Sequence, residues 1–132
     1  MKSEPRWVLA HVVEAIHLQQ LTEHGGGPGV RDVGLLASAL ARPQQLFAYG
    51  GNEATLPRLA AAYAFGLARN HAFVDGNKRT ALVVSFLFLR LNGLDVNASP
   101  EDRFLTFLAL AEGSLGEPEL AQWFARHCVA AI

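Results

Sequence analysis

Five polar side chains fall within nine consecutive positions that separate two apolar stretches of the sequence. They are His71, Asp75, Asn77, Lys78 and Arg79. An imidazole titrates near neutral pH and can take a proton from a hydroxyl, and a carboxylate can bind a metal ion. Two cations and an amide beside them are suited to phosphate groups. This combination is typical of a site for phosphoryl transfer, which depends mainly on positioning and charge stabilisation.

Gly76 permits a tight turn directly before a helix that is predicted to begin at Asn77. The first amides of that helix have no intrahelical acceptor and lie at the positive end of the helix dipole, a geometry that binds phosphate. Asp75 beside the cations is explained if it binds Mg²⁺, since magnesium in nucleotide sites takes one or two carboxylates and the phosphates. Phe73 is predicted to anchor the loop in the core.

The same segment also has a simpler interpretation. Asp75 and Asn77 can act as helix caps, His71 as an ordinary loop residue, and Lys78 and Arg79 as solvated side chains. Capping acids and polar first turns are common, so residue types and spacing alone leave both interpretations open.

Helical periodicity dominates the rest of the chain and predicts an all-α fold of one domain over residues 1–132. Six helices are expected, at about residues 7–21, 32–43, 55–70, 77–92, 99–111 and 118–130. The fourth is apolar on nearly every face between residues 82 and 89, which predicts that it lies at the centre of a bundle. Residues 44–54 are predicted to form a mobile flap, and no strand is expected.

Bulk composition excludes several classes of protein. The net charge is −1, so no cationic surface for nucleic acid is expected, and the one cysteine excludes an internal disulfide. The longest apolar run is far shorter than the ~20 residues of a membrane span, and no secretion signal is recognised. Only 17% of residues are charged, which is explained either by a partner that covers apolar surface or by a high alanine content.

Three residues outside this segment are predicted to have no role in the active site. His11 and His17 lie on the first predicted helix without evident partners, and a metal role is not expected for either. Arg31 follows a glycine-rich turn at Gly25–Gly29 and is predicted to form a surface ion pair with Asp32 rather than to reach the cleft.

The segment from His71 to Ala81 resembles the motif of the Fic/Doc superfamily of nucleotide-dependent modifying enzymes. It is more similar to the Doc toxin branch than to the adenylylating branch. Ala72 stands at the usual proline of the adenylylating motif, Lys78 at its second glycine and Leu82 at its last arginine. The stretch from residue 26 to residue 44 also looks Doc-like.

This resemblance implies an all-α Fic/Doc-like bundle that uses ATP and Mg²⁺. It implies that His71 is the general base, that Asp75 is the magnesium ligand, and that Phe73 anchors the loop. The residues implied to bind the phosphates are Gly76, Asn77, Lys78 and Arg79.

The resemblance further implies a cytoplasmic toxin kinase that modifies a translation factor, with elongation factor Tu expected, and halts translation. Its expected partner is an antitoxin whose C-terminal segment folds into a groove on the toxin. No internal inhibitory motif is visible, because the only Glu-Gly pair, Glu112-Gly113, has Leu108 at the position that requires Ser or Thr. Direct binding to nucleic acid or membrane is not expected. Adenylyl transfer, ribonuclease activity and a non-catalytic binding module are the alternatives.

Overall fold

Six helices and two short strands make up the computed structural model, which describes residues 3–132. The elements are α1 Ala10–His24, α2 Val33–Tyr49, a 3₁₀ turn Gly51–Glu53, α3 Leu56–Arg69, α4 Asn77–Leu91, β1 Leu94–Val96, α5 Pro100–Glu112, α6 Glu117–His127 and β2 Cys128–Ala130. The predicted all-α fold of about six helices is therefore confirmed.

Local capping explains where three of these helices begin. The side chains of Asp32, Thr55 and Ser99 accept hydrogen bonds from amides in the first turns of α2, α3 and α5, at 2.9, 3.3 and 3.1 Å. Each cap satisfies an amide that the helix itself leaves without an acceptor. The predicted starts of these three helices are confirmed to within a residue or two.

The predicted end of α2 at Pro43 is wrong. The helix continues through this proline to Tyr49, and Gly51–Glu53 then forms the 3₁₀ turn, so the predicted flap at residues 44–54 is mostly helical. A proline inside a helix removes one hydrogen bond and crowds the preceding turn. Here Pro43 is buried, and Leu46 and Phe47 beyond it pack against the core. Burial on both sides of the proline offsets its local cost.

The prediction that the chain lacks strands is also wrong. Leu94 pairs with Ala130 and Val96 with Cys128 in an antiparallel pair, so the last predicted helix ends at His127 instead of residue 130. Strands of three residues are too short to show the alternating pattern by which strands are recognised. The pairing also joins distant parts of the sequence, which local periodicity cannot reveal.

Helices α3 and α4 share the centre of the bundle. Six residues of α4 are buried, namely Thr80, Ala81, Val84, Ser85, Phe88 and Leu89. Helix α3 is more completely enclosed, with nine buried residues, of which five are alanines. A Cβ at Gly66 of α3 would lie 3.1 Å from the Cα of Ala39 in α2. Small residues thus let α3 approach α2 closely.

The segment before α1 is held against the far end of α4. The amide of Val8 donates to the hydroxyl of buried Tyr63 at 3.0 Å, and burial raises the pKa of Tyr63 to about 12. The ring of Trp7 stacks on Phe88 with 5.8 Å between centroids. The side chain of Asn92 donates to and accepts from the main chain of Arg6, at 2.9 Å in each direction.

Candidate active site

The loop between α3 and α4, residues 70–76, has an unusual backbone conformation at His71. This residue is exposed and has a φ of +52°, the one positive φ of a non-glycine residue among the residues described. Histidine tolerates this left-handed region better than most residues, but the conformation still carries strain. Gly76, the N-cap of α4, has a φ of +78° that glycine adopts without strain. Strain held at an exposed imidazole is characteristic of functional sites.

Arg31 fixes the backbone at His71. Its Nε donates to the carbonyl of His71 at 2.7 Å, and its Nη2 lies 3.4 Å from the carbonyl of Asn70. The guanidinium is therefore directed to the loop instead of to Asp32, so the predicted ion pair is wrong. The carboxylate of Asp32 caps α2, which accounts for the difference.

The glycine-rich turn before α2 runs antiparallel to the same loop. Val30 and Phe73 form an isolated bridge, and the amide of Val74 donates to the carbonyl of Gly29 at 3.1 Å. The amide of Arg31 donates to the carbonyl of Ala72 at 2.7 Å. These bonds make the turn a second wall of the site, a role that its glycine content alone does not indicate.

Asp75 is exposed, and two hydrogen bonds set its position. The side-chain oxygen Oδ2 of Asp75 accepts from the amide of Gly27 at 2.7 Å. The main-chain carbonyl of Asp75 accepts from Nε2 of His17 at 2.8 Å. A Cβ at Gly27 would lie 2.9 Å from Cγ1 of Val74 and 3.2 Å from Oδ2 of Asp75, so only glycine fits without a shift.

The other carboxylate oxygen of Asp75 makes no hydrogen bond to any residue of the described chain. It is thus suited to a divalent cation. The described residues contain no cluster of three or more His, Cys, Asp or Glu that could hold a metal. A single carboxylate fits magnesium that also binds nucleotide phosphates, since Mg²⁺ keeps most of its other ligands from phosphate and water.

Asn77 and Phe73 are joined by a reciprocal pair of hydrogen bonds. The side-chain oxygen of Asn77 accepts from the amide of Phe73, and its side-chain nitrogen donates to the carbonyl of the same residue, both at 3.0 Å. The ring of Phe73 is 1% exposed and stacks on His17 at 3.8 Å between centroids. Asn77 thus closes the loop in this structure, and its role as a phosphate ligand stays a prediction.

Lys78 and Arg79 diverge from the first turn of α4. Nζ of Lys78 lies 4.9 Å from the ring centre of Phe104 in α5, whereas Nη2 of Arg79 donates to the carbonyl of Gly25 at 3.3 Å. Both are partly buried, and both line a cleft of about 240 Å³ that Leu82 also lines. The cations therefore border the amide end of α4 on two sides.

A sequence model of the Fic/DOC family matches residues 7–89, which include α1, the glycine-rich turn, the motif loop and most of α4. This chain belongs to the Fic/DOC family. It is 39% identical to "Protein kinase doc" of Escherichia phage P1 over 113 residues, which are 85% of this chain and 87% of that protein. It is 52% identical to "Toxin Doc" of Mycolicibacterium smegmatis over 77 residues, 56% of this chain and 57% of that protein.

The family assignment confirms the resemblance that the motif predicted. The structure brings the motif residues together in one loop and the first turn of α4, as contiguity requires. It adds His17, Gly27 and Arg31, whose contacts with the motif loop the sequence analysis did not predict. All three lie in α1 or in the segment between α1 and α2. Only the tertiary fold shows that this region contacts the motif loop. No helix in residues 3–132 is both long and apolar enough to cross a membrane.

Proposed function

We propose that this protein is the toxin of a type II toxin–antitoxin pair and that it is a Mg-ATP-dependent protein kinase. It would transfer the γ-phosphate to a hydroxyl of a translation factor, with elongation factor Tu as the expected target, and so halt translation. The names of its two relatives support the toxin and kinase assignments. One structural observation carries the proposal, namely an exposed, left-handed His71 on the loop that presents Asp75 and the amide end of α4.

The transfer would follow from the chemistry of these groups. His71 takes the proton of the target hydroxyl, and the hydroxyl oxygen forms a bond to the γ-phosphorus. The bond from that phosphorus to the bridging oxygen breaks, and ADP leaves. Lys78, Arg79 and the first amides of α4 bind the phosphates and stabilise their charge. Asp75 would hold Mg²⁺, which neutralises phosphate charge when bound.

Leu82 favours γ-phosphate transfer over adenylyl transfer. It stands at the position of the last arginine of the adenylylating motif and lines the cleft beside Lys78 and Arg79. The other cation of that cleft, Arg103, donates to the main-chain carbonyls of Ala98 and Val96 at 2.9 and 3.1 Å. Its guanidinium therefore supports the connection before α5 and does not replace the missing arginine.

An inhibitory antitoxin is the proposed partner. Apolar side chains are exposed at the first two helices. The exposed fractions are 55% for Leu9, directly before α1, 62% for Leu18 in α1 and 75% for Val33 at the start of α2. These exposed apolar side chains are available for contact with another protein. The low content of charged residues in the chain is in keeping with such a partner.

The test supplies the purified protein with a translation-factor extract, Mg²⁺ and ATP labelled on either the α- or the γ-phosphate. The wild type is expected to transfer the γ-label only, and His71→Ala is expected to lose the transfer. His11→Ala, which alters an exposed histidine of α1, is the matched control and should remain active. Asp75→Asn should lose the magnesium-dependent part of ATP binding.

Other outcomes contradict the kinase assignment in distinct ways. Transfer of the α-label would identify adenylylation. Cleavage of RNA without ATP would identify a nuclease. If neither labelling nor RNA cleavage is seen, even with purified elongation factor Tu supplied, the protein is a non-catalytic binding module. Unchanged Mg-ATP affinity in Asp75→Asn would refute the role of that carboxylate.

A further inference from the structure

His17 of α1 makes two separate contacts with the motif loop. Its side chain is buried, at 4% exposed, and its ring stacks on Phe73 with an interplanar angle of 11°. Its Nε2 lies 2.8 Å from the main-chain carbonyl of Asp75. A carbonyl can only accept a hydrogen bond, so Nε2 must carry the hydrogen in this contact. One imidazole therefore supports the loop at two positions, on either side of exposed Val74.

These contacts help to fix the position of the Asp75 carboxylate. Asp75 is held at its main chain by His17 and at its side chain by the amide of Gly27, so neither end can shift independently. Gly76 passes beside the same imidazole, since a Cβ there would lie 3.6 Å from its Cδ2. The position of the first turn of α4 relative to the carboxylate is thus defined through the imidazole ring.

We propose that His17 is a positioning residue, whose Nε2–H fixes the Asp75 backbone so that the carboxylate and the amide end of α4 are aligned for a magnesium–nucleotide complex. The identity of that ligand rests on the proposed function. His17 is buried and its Nε2–H is already used, so it acts through Asp75 and not on the reacting atoms. Without the donor, the carbonyl of Asp75 loses its partner and the loop can open between Phe73 and Gly76.

A matched pair of variants, His17→Gln and His17→Met, isolates the donor. Glutamine and methionine have similar length and shape, and both lack the stacked ring, but only glutamine can donate to the carbonyl of Asp75. A residue that serves only to fill the core would favour methionine, since its side chain is apolar. A positioning donor favours glutamine, so the two roles predict opposite orders.

Two readouts are measured on each folded variant. The first is the magnesium-dependent affinity for ATP, and the second is the hydrogen exchange rate of the Val74 amide, which donates to the carbonyl of Gly29 in the glycine-rich turn. His17→Gln should bind Mg-ATP within about threefold of the wild type, and His17→Met about tenfold more weakly, as loss of one hydrogen bond implies. Exchange of the Val74 amide should be about tenfold faster in the methionine variant than in the glutamine variant.

His11→Gln and His11→Met, at the exposed histidine of the same helix, are the controls and should leave both readouts unchanged. The proposal would be overturned if His17→Met bound Mg-ATP at least as tightly as His17→Gln, or if its Val74 amide exchanged no faster. If the methionine variant does not fold, His17→Phe provides a stacked ring without the donor and should show the same losses. If the wild type neither binds Mg-ATP nor transfers phosphate, the proposed function fails, and the exchange rates alone decide the role of His17.

Discussion

Replacement of Arg31 by methionine should loosen His71 without disturbing the nucleotide groups of the site. The change keeps most of the aliphatic stem but removes the donor at 2.7 Å from the His71 carbonyl. A charged hydrogen bond contributes about 1.5–3 kcal/mol, and this exposed one belongs at the low end. The second contact, at 3.4 Å, adds little. A left-handed backbone costs roughly 1–2 kcal/mol, so the lost bond is comparable to the strain it holds in place.

A loss of about 1.4 kcal/mol corresponds to a tenfold lower rate. We therefore expect Arg31→Met to reduce kcat/KM for phosphate transfer about tenfold, while Mg-ATP affinity changes less than twofold. Steady-state transfer of γ-label and equilibrium ATP binding measure the two effects. Arg90→Met, which removes an exposed guanidinium paired with Asp95, is the control. Unchanged kcat/KM, or a loss that comes entirely from weaker ATP binding, would refute this reasoning.

Three further predictions follow from close contacts. Gly27→Ala should weaken Mg-ATP binding about tenfold, by displacing the motif carboxylate, and Val74→Ala in the same chain should restore part of the affinity measured by calorimetry. Asn77→Asp loses the donor to the loop carbonyl and adds a repelling charge, so phosphate transfer should fall about tenfold or more while circular dichroism is unchanged. Tyr63→Phe should lower the free energy of unfolding by about 1–3 kcal/mol, because the main chain of Val8 loses its partner.

The same tyrosine predicts a dependence on pH. Because burial raises the pKa of Tyr63 to about 12 from 10.0, its neutral hydroxyl is favoured in the folded state. Its contribution is complete below pH 10 and is lost as the pH rises from about 10 to 12. Denaturant unfolding at pH 9 and pH 11 should show this loss in the wild type but not in Tyr63→Phe. An equal loss in both proteins would assign the effect to other groups.

The starts of α2, α3 and α5 were predictable because their causes are local, whereas α1, which lacks a side-chain cap, begins at Ala10 and not at residue 7. Asp32, Thr55 and Ser99 cap amides three residues ahead, and a pattern of this length can be recognised directly in a sequence. The end of α2 was not predictable in the same way. Pro43 is a local signal to stop, but burial against other helices overrides it, and that burial depends on the complete fold.

In the candidate site, too, local features were predictable and contacts between distant residues were not. The motif is contiguous, so its order of residues was sufficient to indicate the family, whereas its residue types alone left phosphate binding and simple helix capping both open. The residues that hold the motif loop in place are distant from it in sequence. His17 is 58 positions from its partner Asp75, and Arg31 is 40 positions from its partner His71. One histidine among the three of α1 and an arginine in a turn have many possible partners, and only the packing of α1 and the turn against the motif loop selects these.

The reciprocal bonds between Asn92 and Arg6 have a practical consequence for how the chain can be shortened. A chain that starts at Ala10 would lose these bonds, the Val8 contact with Tyr63 and the Trp7 ring on Phe88. It would nevertheless retain every residue of the motif loop and its neighbours His17, Gly27 and Arg31. Truncation before α1 is therefore expected to lower the melting temperature without removing any residue of the candidate site.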